Sequence, residues 1–156
     1  MTLVSIGQTG NVLFTKAVTY GMTRCGSSQS GSISVTPNTK ILLAEDDDDM
    51  RRFLVKALEN AGHSVVSFDN GLSAYHRLRE EPFELLLTDI VMPEMDGIEL
   101  ARRATQLDPD IKVMFITGFA AVALNPDSQT PKDAKILSKP FHLRELVSEV
   151  DKLLAA

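Results

Sequence analysis

The stretch Ile41 to Met50, ILLAEDDDDM, runs four apolar residues directly into Glu45 and the four aspartates Asp46 to Asp49. At an effective dielectric near 20, two ionised carboxylates about 5 Å apart repel by roughly 3 kcal/mol, so such a cluster needs a cation or open water. Lys40 to Ala44 reads as a strand whose end is this acidic run. Beyond it, helix-period segments alternate with further short apolar runs.

Asp49 to Ala61 is predicted to be helical, with Phe53, Leu54, Ala57 and Leu58 on one face and Gly62 in the stop position. One of Asp47, Asp48 and Asp49 is expected to cap that helix, with the others favoured by the helix dipole. Strands are predicted at Ser64 to Phe68, Leu85 to Thr88, Lys112 to Ile116 and Lys135 to Leu137. Helices are predicted at Leu72 to Glu80, Ile98 to Leu107 and His142 to Leu154. Pro126 and Pro131 restrict any further helix to Ala120 to Leu124, and Phe119 to Ala134 is expected to be a long, mobile connection. Five strands alternating with helices make an α/β fold, a doubly wound parallel sheet covered on both faces by right-handed crossovers. Residues 1–39, rich in Ser, Thr and Gly without a sustained apolar period, read as a disordered extension, and residues 40–156 as the folded domain.

Ligands of such sheets sit beyond the carboxyl ends of the strands. In order, those ends carry Glu45 and Asp46, then Asp89, Thr117 and Lys139. Three carboxylates converging on one edge call for a hard divalent cation, and Mg²⁺ suits them because it takes oxygen ligands and keeps waters for an incoming phosphoryl group. An ammonium and a hydroxyl aimed at the same place are what an aspartate needs to attack a phosphoryl donor. Asp89 is the expected nucleophile, Thr117 and Lys139 the expected phosphoryl contacts.

The motifs LLAEDD, LLTDIVMPEMDG, FITG and LSKPF resemble the receiver domain of two-component response regulators over nearly all of residues 40–156. That resemblance implies a flavodoxin-like five-stranded sheet in the order 2-1-3-4-5. It implies Asp89 as phosphoacceptor, and Glu45, Asp46, Asp89 and the backbone carbonyl of Val91 as Mg²⁺ ligands. The Lys139–Pro140 bond is expected to be cis. In two respects the sequence departs from many relatives. Ile136 stands where an aromatic residue often swaps rotamers in concert with the Thr hydroxyl. Val91 and Phe119 stand where some relatives carry polar residues that help water attack the phosphoaspartate, so a long-lived acyl phosphate is expected.

The blocks from Leu86 to Ala104 and from Gly118 to Leu146 are further similar to single-domain regulators that act as adaptors of the ClpXP protease. This finer resemblance implies ClpX as the partner of the unphosphorylated form. It implies phosphate arriving from a CckA-like kinase through a ChpT-like histidine phosphotransferase, and a working place at the cell pole. A phosphate sink or shuttle without a protease role is the alternative. Leu154, Ala155 and Ala156 read either as a frayed helix end or as a tail that an unfoldase grips. The rival from another class is a Mg²⁺-dependent phosphatase of the haloacid dehalogenase type, which requires an acid two residues after the nucleophile; here that position is Val91. The chain is therefore expected to be a non-enzymatic signalling protein that supports only its own phosphoryl transfer.

Length and composition fit one globular domain able to bury a sizeable core. The net charge is −5, and since Lys16 and Arg24 precede the first acidic residue, the part from Lys40 onward nets −7, which opposes nonspecific binding to nucleic acid or an anionic membrane. Cys25 is the sole cysteine, and His63, His76 and His142 lack ligand spacing. No spanning apolar run or secretory signal is visible, so a cytoplasmic, monomeric protein is expected.

Overall fold

The computed structural model describes residues 39–155; the extension expected over residues 1–39 lies outside them except for Thr39, and Ala156 also lies outside. The elements are β1 Lys40–Ala44, α1 Asp48–Asn60, β2 Ser64–Phe68, α2 Gly71–Glu80, β3 Leu85–Thr88, α3 Gly97–Leu107, β4 Lys112–Thr117, α4 Ala120–Leu124, β5 Lys135–Ser138 and α5 Leu143–Ala155. All strand pairs are parallel, and the sheet order is β2-β1-β3-β4-β5. Because successive side chains of a strand point to opposite faces, the central strands feed two cores. Leu42, Ala44, Leu86, Val113 and Phe115 pack with Leu100, Ala101 and Ala104 of α3 on one side. Ile41, Leu43, Leu85, Leu87, Met114 and Ile116 pack with Leu54 and Leu58 of α1 and with Leu146 and Val150 of α5 on the other.

Three helices begin on a side-chain cap. Asp47 accepts from the Met50 amide at 2.9 Å, Asn70 from Ser73 at 2.8 Å and Asp96 from Glu99 at 2.9 Å, each satisfying a donor that the helix itself leaves open. Of the acidic run, therefore, Asp47 is the cap, with Asp48 and Asp49 in the first turn. Gly62 has φ 99°, the left-handed conformation that ends α1.

One expectation about α1 is corrected. Phe53 is 60 % exposed and does not share the buried face of Leu54 and Leu58. The helix seats itself by the stripe Leu54 and Leu58, with Met50 partly buried behind them, four residues apart. Phe53, about 100° around the axis from Leu54, is thereby turned outward. It lines an apolar groove of about 890 Å³ with Ala57, Leu143 and Val147. The connection after α4 is tied locally: Asp127 donates to the Asn125 side chain at 2.9 Å, and the Ser128 hydroxyl donates to Ala123 at 3.1 Å.

Candidate functional site at the carboxyl edge of the sheet

Backbone hydrogen bonds that continue the sheet ladder past the strand ends register the polar residues. The Glu45 amide donates to the Phe68 carbonyl at 3.0 Å, the Asp89 amide to Ala44 at 3.0 Å and the Lys139 amide to Thr117 at 2.9 Å. Glu45, Asp89, Thr117 and Lys139 are thus held by main chain before their side chains make any contact. The Lys139–Pro140 bond is cis.

Lys139 reaches back across the edge. Its Nζ donates to Glu45 Oε2 and to Asp89 Oδ2, each at 3.0 Å. The other Asp89 oxygen accepts from the Ile90 amide at 2.6 Å, and the other Glu45 oxygen accepts from the Asp47 amide at 3.2 Å. Glu45 is wholly buried, Asp89 nearly so, and Asp46 exposed. Burial pushes the Glu45 carboxyl above the usual carboxylate range, and the Lys139 and Asp47 contacts offset only part of it. Burial also works against the Lys139 charge, but its bonds to Asp89 and Glu45 outweigh that and hold it protonated.

Glu45, Asp46 and Asp89 each offer an oxygen within 4.8 Å of the others. Carboxylate oxygens alone make a donor set for a hard cation such as Mg²⁺, not for zinc or copper. Thr117 is fully buried at the end of β4, and its hydroxyl oxygen accepts from the Phe119 amide at 2.9 Å, leaving its own proton available to donate. Val91 and Phe119 are 56 % and 58 % exposed, an apolar flank beside the carboxylates. Every sequence-predicted side chain, then, lies at this one edge.

Sequence reasoning assigned no role to the supports of Asp89. The Thr88 hydroxyl donates to the Asp89 carbonyl at 2.8 Å. Gly97 opens α3 so close to that carbonyl that an added Cβ would lie 1.9 Å from it. Between them Glu94 takes φ 71°, and buried Met92 and Met95 anchor the loop in the core. A Gly after Asp96 was the only signal for this, and a glycine at a helix start is ambiguous without knowing what approaches it.

Residues 41–151 match the response regulator receiver domain. The chain belongs to that family. It is 79 % identical over 117 residues to the response regulator receiver protein CpdR of Brucella abortus, covering 75 % of this chain and 98 % of that one. It is 37 % identical over 118 residues to the sensor kinase CckA of the same organism, covering 73 % of this chain but 12 % of the kinase. Among solved structures, a response regulator receiver protein from Sinorhizobium medicae superposes with a TM-score of 0.71 at 32 % identity, over 77 % of this chain and 97 % of that one. The receiver fold accounts for the flavodoxin-like sheet order. Among the described residues no helix is long and apolar enough to cross a membrane.

Proposed function

We propose that this receiver accepts a phosphoryl group on Asp89 in a Mg²⁺-dependent reaction and that the modification controls protein–protein contact. The single observation that carries the reading is the Lys139 ammonium held 3.0 Å from both Glu45 and Asp89. An Asp89 oxygen attacks phosphorus, the bond from phosphorus to the donor's histidine nitrogen breaks, and that nitrogen keeps the electron pair and takes up a proton. Lys139 then turns its charge to the phosphoryl oxygens, and the Thr117 hydroxyl donates to another. A Mg²⁺ ion held by Glu45, Asp46, Asp89 and the Val91 carbonyl would supply the remaining neutralisation of phosphoryl charge. Nothing at Val91 can act as the second acid of a phosphatase, so the acyl phosphate is stored as a signal and the protein turns nothing over.

The output we infer is that of an adaptor for ClpXP, active when unphosphorylated, with ClpX as partner and phosphate supplied by a CckA-like kinase through a ChpT-like phosphotransferase. Support comes from 79 % identity to CpdR across nearly its whole length. The same reading places the protein in the cytoplasm, with concentration at a cell pole.

Labelling tests the first part. The protein incubated with a small phosphodonor and MgCl₂ is expected to gain one phosphoryl group by intact mass, with no gain for Asp89→Ala or with chelator. Undiminished labelling of Asp89→Ala sinks the assignment. Immobilised ClpX is expected to retain wild type and Asp89→Ala and to release the phosphorylated form. If neither form is retained, the phosphate-sink reading takes its place.

A further inference from the structure

Arg51 and Arg52 come after the acidic run side by side but do different things. Arg52 is 79 % exposed and only approaches Asp49, at 4.0 Å, an ordinary surface pair. The Arg51 side chain is 19 % exposed; its Nη2 pairs with Asp48, and its Nη1 donates to the backbone carbonyl of Glu45 at 2.8 Å. That carbonyl belongs to the peptide joining Glu45 to Asp46. Because the peptide unit is planar, holding its oxygen restrains the plane that contains the Asp46 nitrogen and Cα, the point from which the Asp46 side chain departs. The Glu45 amide is held by the Phe68 carbonyl at 3.0 Å and its Oε1 accepts from the Asp47 amide at 3.2 Å, while Arg51 holds the carbonyl of the peptide between Glu45 and Asp46.

We infer that Arg51 is a positioning residue for the divalent-cation site, aiming Asp46 through the Glu45 carbonyl. The inference rests on the proposed Mg²⁺ reading. It has a distinctive sign. Arg51 is a cation close to a site for a cation, so its charge alone repels the metal, and removing that charge would tighten binding. Loss of an aiming contact weakens it.

The experiment is calorimetric titration of the full-length chain with MgCl₂ for wild type, Arg51→Met, Arg51→Lys and Arg52→Met, with a thermal melt of each. Arg51→Met is expected to bind Mg²⁺ about tenfold more weakly, as befits loss of an outer partner of a metal ligand. Arg51→Lys, with its charge kept but its planar fork lost, is expected to fall between that variant and wild type, and it carries the comparison if Arg51→Met does not fold. Arg52→Met is expected to bind at least as tightly as wild type. Mg²⁺ binding as tight as wild type, or tighter, in the folded Arg51 variants overturns the inference while leaving the metal site intact. A wild-type chain that takes up no Mg²⁺ overturns the metal reading and the inference together.

Discussion

Lys139 is shared between two carboxylates, which is the local answer to how an acidic strand end is tolerated. Removing it leaves the wholly buried Glu45 without a cation. Breaking a fully buried pair costs roughly 3–5 kcal/mol, but a side chain that is 24 % exposed is partly screened, so Lys139→Met is expected to lose about 2 kcal/mol in urea melts. The pH dependence has a definite sign. Burial raises the Glu45 carboxyl, so its protonated form is the one folding favours; that contribution is complete below the unfolded value and fades as pH rises through the folded one. The penalty of Lys139→Met is therefore expected to shrink as pH falls and Glu45 takes up its proton, and a constant penalty would count against this mechanism. Two residues after Asp89, Val91→Glu would place an acid beside the proposed phosphoaspartate and is expected to shorten its lifetime by about tenfold, read by loss of label. That Glu45, Asp46, Asp89, Thr117 and Lys139 would lie at one edge was legible in the sequence because strand ends in a parallel sheet share it. Arg51 and Thr88 were not, since each acts through a backbone carbonyl, and no sequence pattern says where a carbonyl points.

Elements rather than residues decide how firmly that edge is held. Gly97 begins α3 against the Asp89 carbonyl, and a Cβ there, 1.9 Å from that oxygen, would force the helix start and Asp89 apart. Gly97→Ala is expected to cost roughly 3 kcal/mol and to abolish labelling of Asp89, measured by urea melts and intact mass. On the opposite flank, Glu149 of α5 bonds to Lys152 at 2.8 Å and to Lys135 of the edge strand β5 at 2.9 Å, and these two lysines lower its carboxyl to about 2. A carboxyl lowered on folding stabilises above its unfolded pKa, and this contribution disappears as pH falls toward the folded value. Glu149→Gln is expected to melt below wild type at neutral pH, with the gap closing between about pH 4.5 and about pH 2. Strand bounds were readable to within a residue because their apolar runs are short and sharply ended, as at Leu85–Thr88. The rotation of α1 was not. Phe53, Leu54, Ala57 and Leu58 form an acceptable stripe by period alone, and only the packing of Leu54 and Leu58 on the sheet turns Phe53 outward.

Across the whole domain, the sheet separates two cores that share no buried side chain, so cooperation between them must pass through the strands themselves. Residues 41 and 43 of β1 serve one core and residues 42 and 44 the other, which means neither core can dissolve without tearing the strand that supplies its neighbour. The chain has no Trp and two Tyr, of which Tyr75 packs against the core on the α3 side. With Tyr20→Phe as background, Tyr75 emission reports that core alone. Leu54→Ala removes a fully buried side chain from the opposite core and is expected to cost about 3 kcal/mol. If the strands couple the two faces, Tyr75 fluorescence and far-ultraviolet circular dichroism will shift to the same lower urea midpoint, with an unchanged slope. A Tyr75 transition that stays at the wild-type midpoint while the dichroism signal splits would mean two independent layers. Phosphorylation at the shared edge would then have no rigid body through which to reach a partner.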